Sequence, residues 1–330
     1  MNAPPLIDTY DRRLNYLRIS ITDRCNLRCL YCVPDGRLPK LTHDDILTYE
    51  ELLRLTTICT QLGITKVRVT GGEPLVRKGV YDFLESLSAI SALSDISLTT
   101  NGVILAANLE RLRHAGVRRI NVSLDTLRKE RYRAITGYDQ FDRVWAGLQK
   151  ALEVGFHPIK INVVALRGTN DDELIDMGRL TLKYPFHVRF IEYMPIGNSR
   201  MDPKANLLIP EIKDRLGAIG KLHPVERQAN DGPAQRYRIG GAPGELGFIS
   251  SVSHHFCDRC NRLRLTASGQ LRVCLLSDQQ TDLRRPLRKG ASDEYLADLI
   301  RDAVRHKKAH HHLATPTGPK VTDQMSGIGG

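Results

Sequence analysis

The sequence predicts an α/β fold made of parallel strand–helix units. Short apolar runs alternate with helix-like segments over the first two thirds of the chain, and glycines stand at the ends of several of these segments. Strands that alternate with helices indicate βα units and a parallel sheet. Six such units predict either an incomplete barrel or a strongly curved open sheet.

The individual elements are predicted from local patterns. Apolar runs predict strands at 16–22, 66–70, 95–100, 118–124, 159–166 and 187–194. Apolar residues three and four positions apart predict helices at 48–62, 79–92, 106–115, 141–154 and 171–183. Gly63, Gly116 and Gly155 follow three of these helices, at the position where glycine commonly ends a helix. The fold class therefore rests on many local signals.

The character of the sequence changes after about residue 222, where glycine and proline become frequent and the strand–helix alternation stops. We therefore predict a barrel domain at 1–222 and a smaller domain of short strands and loops at 223–330. One helix is expected near 292–305. The tail at 315–330 contains several glycines and prolines and is expected to be a flexible free segment.

The bulk composition limits the class of protein. The chain has 330 residues, of which 41% are hydrophobic and 26% charged, as is ordinary for a soluble globular protein. No apolar run approaches the roughly 20 residues that span a bilayer, and the N-terminus shows no signal-peptide pattern. We therefore expect a cytoplasmic protein without membrane contact.

The charge and the cysteines narrow the function. A net charge of +11 fits a nucleic-acid binder or an enzyme for a polyanionic small substrate, and an aromatic content of 6% leaves little material for stacking on bases. Seven cysteines in a reducing cytoplasm indicate metal or redox chemistry rather than disulfides. Cys59 is isolated in a helical run and is expected to be a buried core thiol.

Three cysteines lie within nine residues in the stretch RCNLRCLYC, at Cys25, Cys29 and Cys32. This CxxxCxxC group follows the first predicted strand, at the end where parallel βα folds place catalytic loops. Thiolates favour zinc or iron–sulfur clusters. Full protein ligation of a four-iron cluster takes four cysteines, so three leave one iron open. A closed zinc site would need a fourth ligand, and His43 is the nearest candidate.

A second group of three cysteines lies at Cys257, Cys260 and Cys274. One ligand position is again open, and His254 or His255 could complete a Cys3His zinc site instead. Arg262 and Arg264 alternate with leucines, so both arginines should share one face of an extended strand. Two guanidinium groups beside an open metal site can clamp phosphates in a bidentate manner.

The CxxxCxΦC pattern, with Tyr31 at the aromatic position, resembles the signature of the radical S-adenosylmethionine superfamily. The resemblance implies that the open iron binds the amino and carboxylate groups of S-adenosylmethionine. It also implies that an electron from the reduced cluster cleaves the sulfonium to give a 5′-deoxyadenosyl radical. Polar residues at other strand ends suit such a site: the GGEP stretch at 71–74, Ser123 with Asp125, and the segment 192–194.

A more specific resemblance is to the GTP 3′,8-cyclase family of molybdenum cofactor biosynthesis. It is carried by CxxxCxYC, GGEP and the C-terminal pattern CxxCNRLRLTxxGxLxxC, and it extends from Tyr16 to Cys274 and on to the Gly-Gly terminus. It implies an incomplete (βα)6 TIM-like barrel with a smaller C-terminal α+β domain that carries a second iron–sulfur cluster. The chain has no GxxxxGK[ST] motif, so GTP would not be bound in the Walker manner.

The resemblance assigns four groups of site residues. The metal ligands are Cys25, Cys29, Cys32, Cys257, Cys260 and Cys274. The contacts to S-adenosylmethionine are Tyr31, Gly72, Ser123 and Met194. The contacts to GTP are Arg18, Arg68, Thr99, Lys160, Arg262, Leu263 and Arg264. The catalytic residues are Arg262, Arg264, Gly329 and Gly330. The two glycines are included because in the family the glycine tail reaches into the active site.

The resemblance also implies the reaction and the partners. A radical at ribose C3′ attacks purine C8 and, after reduction and protonation, gives (8S)-3′,8-cyclo-7,8-dihydroguanosine 5′-triphosphate, in the first step of molybdopterin synthesis. The implied cofactors are two [4Fe–4S] clusters and S-adenosylmethionine. A homodimer is expected, with transfer of the product to the next enzyme, cyclic pyranopterin monophosphate synthase, and no contact with nucleic acid.

Other classes remain open from the residues alone. A peptide-modifying radical S-adenosylmethionine maturase would usually carry more C-terminal cysteines, and the strand–helix alternation disfavours a zinc-stabilised nucleic-acid-binding protein. A metal-free hydrolase would leave six grouped cysteines unexplained. The segment RHKKAHHHL at 305–313 is interpreted as a solvated basic segment without a ligand role.

Overall fold

A computed structural model of the chain describes residues 5–33, 41–197, 205–227, 231–311 and 321–329. Within these residues twelve strands form one sheet. In chain order the strands are β1 Tyr16–Ser20, β2 Lys66–Thr70, β3 Asp95–Thr100, β4 Arg119–Ser123, β5 Ile159–Ala165, β6 Phe186–Glu192, β7 Leu222–Pro224, β8 Gln235–Ile239, β9 Glu245–Ile249, β10 Arg262–Leu265, β11 Gln270–Arg272 and β12 Thr281–Asp282.

Helices cover the outside of the parallel strands. They are α1 Tyr49–Gln61, α2 Val80–Ser88, α3 Leu109–His114, α4 Lys129–Thr136, α5 Phe141–Glu153, α6 Leu174–Lys183, α7 Ile209–Leu216, α8 Arg284–Arg288, α9 Asp293–Arg305 and α10 Met325–Ile328. Helix α1 begins with a capping box between Thr48 and Glu51. No helix among the described residues is long and apolar enough to cross a membrane.

The order of the strands confirms the predicted α/β fold. Strands β1 to β6 lie side by side in chain order and are parallel throughout. The chain beyond β6 extends this sheet at both edges, because β9 pairs in parallel with β6 and β10 pairs in parallel with β1. The C-terminal strands therefore lie against both sides of the opening of the incomplete barrel.

The two faces of the strands have different compositions, as the two-residue period of a strand requires. On β1, Leu17 and Ile19 belong to the apolar core that packs against the helices, whereas Arg18 points to the opposite face. On β2, Val67 and Val69 are likewise in the core, with Arg68 between them. The inner face of the barrel, here called the lumen, is therefore lined by polar and charged side chains.

The predicted barrel strands and their helices are confirmed to within a few residues, and so is a helix near 292–305. Cys59 is confirmed as a core thiol, with 2% of its surface exposed. The sequence did not predict α4, because its apolar residues are few, and it did not separate the short strands β7 to β12. The expectation of a free tail is wrong for 321–329, since Val321 and Ile328 pack against Ile196 in a small core of their own.

Candidate active site

The cysteines of the first triad, defined as Cys25, Cys29 and Cys32, are partly buried free thiols in the loop after β1. The amide groups of Cys32 and Val33 both donate to the Cys29 carbonyl at 2.9 Å, which forms a tight turn. Helix α4 supports this loop, because its last residues accept hydrogen bonds from the amides of Arg28 and Leu30. The helix that the sequence did not reveal therefore positions the first triad.

The electrostatics of the first triad disfavour thiolates when no cation is bound. Burial raises the pKa of Cys29 well above its usual value, and the neighbouring Cys32 and Asp125 add to the rise. Burial likewise raises the pKa of Cys32 to about 12, with contributions from Cys25 and Asp125. A bound metal would supply the positive charge that these thiolates lack, so the donor set fits a thiolate-ligated metal group.

The spacing of the thiols favours a cluster over a single ion. Among the described residues, one group of three metal-ligating side chains has all its ligand atoms within 4.8 Å of one another, and it contains neither complete cysteine triad. His43, the candidate fourth ligand for a zinc ion at the first triad, does not belong to such a group. Both triads are therefore more open than a mononuclear zinc site would be.

Glu73 of the GGEP motif connects the loops around the first triad, a role that the sequence did not predict. Its carboxylate is fully buried and accepts hydrogen bonds from Thr100 Oγ1 at 2.8 Å and from the Asn101 amide at 2.6 Å. Asn101 in turn places its side-chain nitrogen 3.7 Å from Cys25 Sγ. Burial raises the pKa of Glu73 to about 7. The glutamate thus joins β2, β3 and the cysteine loop.

The glycine of GGEP that was predicted to contact S-adenosylmethionine is required by packing as well. A Cβ atom on Gly72 would lie 2.4 Å from the carbonyl oxygen of Arg24, in the cysteine loop. The Gly72 amide donates to the carbonyl of Thr22 at 2.7 Å. Any side chain at this position would therefore displace the first triad.

The other three predicted S-adenosylmethionine contacts lie at the same end of the barrel. Tyr31 donates its hydroxyl to Asp125 Oδ2 at 2.6 Å, and Asp125 Oδ1 accepts from the Val164 amide at 2.8 Å. Ser123 is the last residue of β4 and is partly buried. Met194 follows β6 and packs against the small core of the C-terminal tail. The structure thus brings Tyr31, Ser123 and Met194 to the strand ends near the first triad.

Basic side chains fill the lumen below these strand ends. Arg264, Arg18 and Arg68 stand side by side on β10, β1 and β2. The remaining lumen cations on β2, β4, β5 and β6 are Lys66, Arg119, Lys160 and Arg189. Of these four, only Lys160 is a predicted GTP contact, because a single basic residue in a strand is usually on a solvated face.

The lumen cations lower one another's pKa. Burial, followed by repulsion from Arg189 and Arg68, lowers the pKa of Lys160 to about 6. Burial lowers the pKa of Arg18 to about 9, and that of Arg189 to about 9, with Arg68 contributing to both. Arginine remains charged in proteins, so these shifts measure how unfavourable the buried charges are. The lumen is therefore suited to a polyanion.

Few carboxylates offset this charge. Asp95 lies 3.0 Å from Lys66 and also pairs with Arg119, while Arg189 donates to the Asn121 side-chain oxygen at 2.5 Å. The buried polar atoms of the lumen that have no hydrogen-bond partner among the described residues include Thr99 Oγ1 and Arg189 Nε. Buried donors and acceptors are normally satisfied, so a ligand that reaches these atoms would complete the site.

The cysteines of the second triad, defined as Cys257, Cys260 and Cys274, lie next to the start of β10. Tyr16, the first residue of β1, pairs with Arg262 and donates its amide to the Asn261 carbonyl. Burial by itself raises the pKa of Cys260, but the positive charges of Arg262 and Lys307 outweigh it and lower the pKa to about 6. The second triad therefore has a cationic environment.

The two triads lie at opposite ends of the lumen. The second triad is beside the first residue of β1, and the first triad follows its last residue. Five residues of strand separate the two ends, which corresponds to about 16 Å. The lumen cations therefore lie between two cysteine sites, each of which lacks a fourth cysteine ligand among the described residues.

Comparison with known proteins identifies the family. Residues 19–181 match the Radical SAM superfamily, and residues 186–313 match Molybdenum Cofactor Synthesis C. The GTP 3′,8-cyclases of Pelotomaculum thermopropionicum and Moorella thermoacetica are each 48% identical to this chain, over 98% of it and 99% of each relative. That of Heliobacterium modesticaldum is 47% identical, over 98% of this chain and all of the relative. The chain belongs to the GTP 3′,8-cyclase family.

Family membership confirms the predicted class of enzyme. The protein is a radical S-adenosylmethionine enzyme that uses iron–sulfur clusters, with an incomplete barrel followed by a molybdenum cofactor synthesis domain. The structure of Streptococcus suis SuiB bound to S-adenosylmethionine has a TM-score of 0.59, with 17% identity over 87% of this chain and 68% of that chain. That likeness shows the fold alone.

The C-terminal tail reaches the lumen. Arg264 Nη1 donates to the Gly329 carbonyl at 2.9 Å. In this structure Arg264, which was predicted to bind phosphate, therefore holds the tail. Gly329 has φ +78°, and a Cβ atom there would lie 2.6 Å from Thr70 Oγ1 and 2.8 Å from Ser20 Cβ. Only glycine therefore fits between the ends of β1 and β2. Gly330 lies outside the described residues.

The segment at 305–311 was expected to be solvated, but it is partly buried. Lys307 is only 3% exposed, and its ammonium group donates to the Val273 carbonyl, directly before Cys274. His310 belongs to the group of closely spaced metal-ligating atoms noted above. The interpretation of a wholly solvated basic segment is therefore wrong, because α9 delivers this segment to the second triad.

Proposed function

We propose that this protein cyclises GTP to (8S)-3′,8-cyclo-7,8-dihydroguanosine 5′-triphosphate inside the lumen, as the first step of molybdenum cofactor synthesis. The observation that carries the proposal is the placement of the lumen cations between two cysteine triads. A nucleoside triphosphate has an anionic end and a base at the other end, so it can be bound from both ends of such a cavity. The names of the curated relatives support the same substrate.

The first triad would hold one [4Fe–4S] cluster through Cys25, Cys29 and Cys32. With S-adenosylmethionine bound, that cluster supplies a radical able to remove hydrogen from an unactivated carbon. The chain itself orients the ligand: Tyr31 is fixed by Asp125, and Gly72 keeps the cysteine loop against β2. Ser123 and Met194 would complete the contacts to S-adenosylmethionine from β4 and from the segment after β6.

The second triad would hold another [4Fe–4S] cluster through Cys257, Cys260 and Cys274, with the guanine base beside it. Arg18, Arg68 and Lys160, together with Thr99 and the segment Arg262–Leu263–Arg264, would bind the triphosphate. Several fixed cations can replace the missing P-loop, since guanidinium groups pair with phosphate oxygens in a bidentate manner.

Anchoring both ends of GTP would solve the positional problem of the reaction. Ribose C3′ must approach purine C8 within one bound molecule, and holding reacting atoms in place can lower a barrier by roughly 7–11 kcal/mol. The domain at 1–222 would supply the S-adenosylmethionine site, and the domain at 223–330 the second cluster and the tail. The catalytic residues would be Arg262 and Arg264 from β10, and Gly329 and Gly330 from the tail.

The tail would close the site against water. Ile328 is buried with Ile196 and Val321, and Arg264 holds the Gly329 carbonyl. Removing Gly329 and Gly330 should therefore abolish cyclisation while S-adenosylmethionine is still cleaved. Unchanged cyclisation in the truncated protein would contradict this role of the tail.

The test of the proposed function is an anaerobic assay. The protein is reconstituted with iron and sulfide and given reductant and S-adenosylmethionine, and 5′-deoxyadenosine is measured with GTP, with ATP and without nucleotide. We expect a large increase with GTP alone, its loss in Cys25→Ala and its retention in Cys59→Ala, whose thiol lies in the core away from both triads. Deoxyadenosine formation that ignores GTP would contradict the substrate assignment.

We further propose a cytoplasmic homodimer that passes its product to the next enzyme, cyclic pyranopterin monophosphate synthase. Free cysteines support a reducing compartment, because seven of them are unpaired in the structure. Size-exclusion chromatography with light scattering tests the dimer, and a monomer at micromolar concentration would contradict it.

A further inference from the structure

A second kind of metal site lies next to the second triad. The ligand atoms of His255, Cys257 and His310 are all within 4.8 Å of one another. We propose that these three residues bind one Zn²⁺ ion in the chain before its second iron–sulfur cluster is complete. The proposal rests on the proposed function in one respect, because it takes Cys257 to be a ligand of that cluster.

The donor set suits zinc. Two imidazoles and one thiolate are ligands that Zn²⁺ commonly takes, at about 2.0–2.1 Å for nitrogen and about 2.3 Å for sulfur. Tetrahedral ligands at those bond lengths are separated by roughly 3.3–3.6 Å, so small side-chain rotations would close the observed spacing. A water molecule would fill the fourth position. Both histidines are exposed, which gives an ion direct access from solvent.

A buried arginine holds the backbone around the three ligands in place. Arg12 is 6% exposed and paired with buried Asp8 at 2.6 Å. Its Nη1 atom donates both to the Cys257 carbonyl at 2.8 Å and to the Ala309 carbonyl at 2.9 Å, and Nη2 donates to the Lys308 carbonyl at 2.8 Å. One buried guanidinium group therefore fixes the two segments that carry the three ligands.

The surroundings of the histidines also fit a metal site. Asp258 Oδ1 lies 3.6 Å from His310 Nδ1, which places a carboxylate beside this ring. Carboxylates behind ligating histidines are a common second layer of zinc sites. The ring of His255 lies 5.0 Å from that of His310 and 5.2 Å from that of His311, between their centroids. His311 is thus a neighbouring imidazole rather than one of the three closely spaced ligands.

The site has a consequence for assembly. Cys257 cannot ligate a zinc ion in this geometry and complete the second cluster at the same time. Zn²⁺ would therefore occupy the cluster-free chain and have to leave before the cluster is finished. In contrast, among the described residues no cysteine of the first triad belongs to a closely spaced group with histidines. Assembly of a cluster there should therefore not require zinc to be displaced first.

The test is a zinc titration of the metal-free full-length protein, in a background in which Cys25, Cys29 and Cys32 are alanine. Affinity is measured by competition with a chromophoric chelator. We expect one strong equivalent, and a loss of about tenfold or more in affinity in His255→Ala and in His310→Ala. Cys260→Ala and Cys274→Ala should stay within about twofold of their parent, because neither residue belongs to the proposed site.

The matched control is His306→Ala, since His306 is an exposed histidine of the same segment whose ring lies against Asp302 of its own helix. It should bind zinc as the parent does. If Cys260→Ala loses zinc while the histidine variants keep it, the ion belongs to the cysteine triad and the proposal is overturned. Unchanged affinity in all variants would overturn it equally.

A second measurement tests the consequence for assembly. One equivalent of Zn²⁺ should slow formation of the second cluster from iron and sulfide, and His255→Ala should relieve that delay. An equal delay in His255→Ala would contradict the shared use of Cys257. Neither measurement involves GTP or S-adenosylmethionine, so failure of the zinc site and failure of the proposed function remain distinguishable.

Discussion

The two cysteine triads offer the same number of thiols in different electrostatic settings, although burial raises the pKa of Cys257 in the second triad as well. The first triad is buried near Asp125 and has Glu73 close by, and burial raises the pKa of Cys32 to about 12. The second triad is beside Arg262 and Lys307, which lower the pKa of Cys260 to about 6. We infer that the charges around the two triads suit them to different ligands.

The contrast also explains the division of the lumen. Carboxylates near the first triad suit a cofactor that itself carries positive sulfonium and ammonium groups. Cations near the second triad continue into the row Arg264, Arg18 and Arg68, which suits a polyanionic substrate. An exchange of the two ligands between the two ends would be unfavourable at both.

The largest effect expected from this contrast is in thiol reactivity. In the metal-free protein at pH 7, Cys260 should be largely thiolate, whereas Cys32 should be largely protonated. Iodoacetamide should therefore alkylate Cys260 more than about 100-fold faster than Cys32. Peptide mass spectrometry over time measures both rates. Equal rates would show that the two settings do not differ as described.

The next effect concerns the substrate end alone. Lys160→Met should weaken GTP binding by about 30-fold, since it removes one charged donor from the lumen. S-adenosylmethionine binding should be unchanged, because Lys160 lies on β5 within the cation group. Equilibrium binding of each ligand measures the two effects, and Lys183→Met, on the outer helix α6, is the matched control. A parallel loss of both ligands would point to misfolding instead.

A smaller effect should separate two adjacent lysines near the second triad. Lys307→Met should slow alkylation of Cys260 by about tenfold, because the buried ammonium group stabilises the thiolate. Lys308 is exposed, so Lys308→Met should change the rate by less than about twofold. The same mass-spectrometric assay applies. Similar rates in the two variants would show that Lys307 does not stabilise the Cys260 thiolate.

The smallest expected effect is the uptake of a single proton when GTP binds. Lys160 has a pKa of about 6 in the folded chain and about 10.5 when unfolded, so the folded chain binds fewer protons between those values. Stability should therefore rise with pH across that window as far as this group is concerned. A triphosphate restores the charge, so GTP binding at pH 8 should take up about one proton and weaken as pH rises.

Calorimetry in buffers of different ionisation enthalpy measures this uptake, and Lys160→Met should reduce it by about one proton. Uptake that persists unchanged in the variant would assign the proton to another group of the lumen.

Much of the fold could be predicted from the sequence because each strand and helix has its own local period. Strands β2 and β3 were predicted with the bounds that the structure shows. Helix α4 could not be recognised, since its apolar surface consists of Tyr132 and Ile135 and is used against the cysteine loop. The packing of that loop decides its conformation, and local propensity does not reveal it.

Some residues of the candidate site could also be predicted from the sequence, and others could not. The six cysteines and the Arg262–Arg264 strand could be selected from spacing alone. Arg119 and Arg189 could not, because only the closure of the barrel turns a single basic residue of a strand into a member of a buried group. The meeting of Cys257 with His310 depends on Arg12, which is distant from both in the sequence.

The central claim is that the first triad serves S-adenosylmethionine and the second triad serves GTP. The most direct measurement is equilibrium binding of both ligands to reconstituted Cys25→Ala and Cys260→Ala proteins, with Cys59→Ala as the control. The account predicts that Cys25→Ala loses S-adenosylmethionine and keeps GTP, and that Cys260→Ala does the reverse. If Cys260→Ala binds GTP as tightly as the control does, the second triad does not hold the substrate.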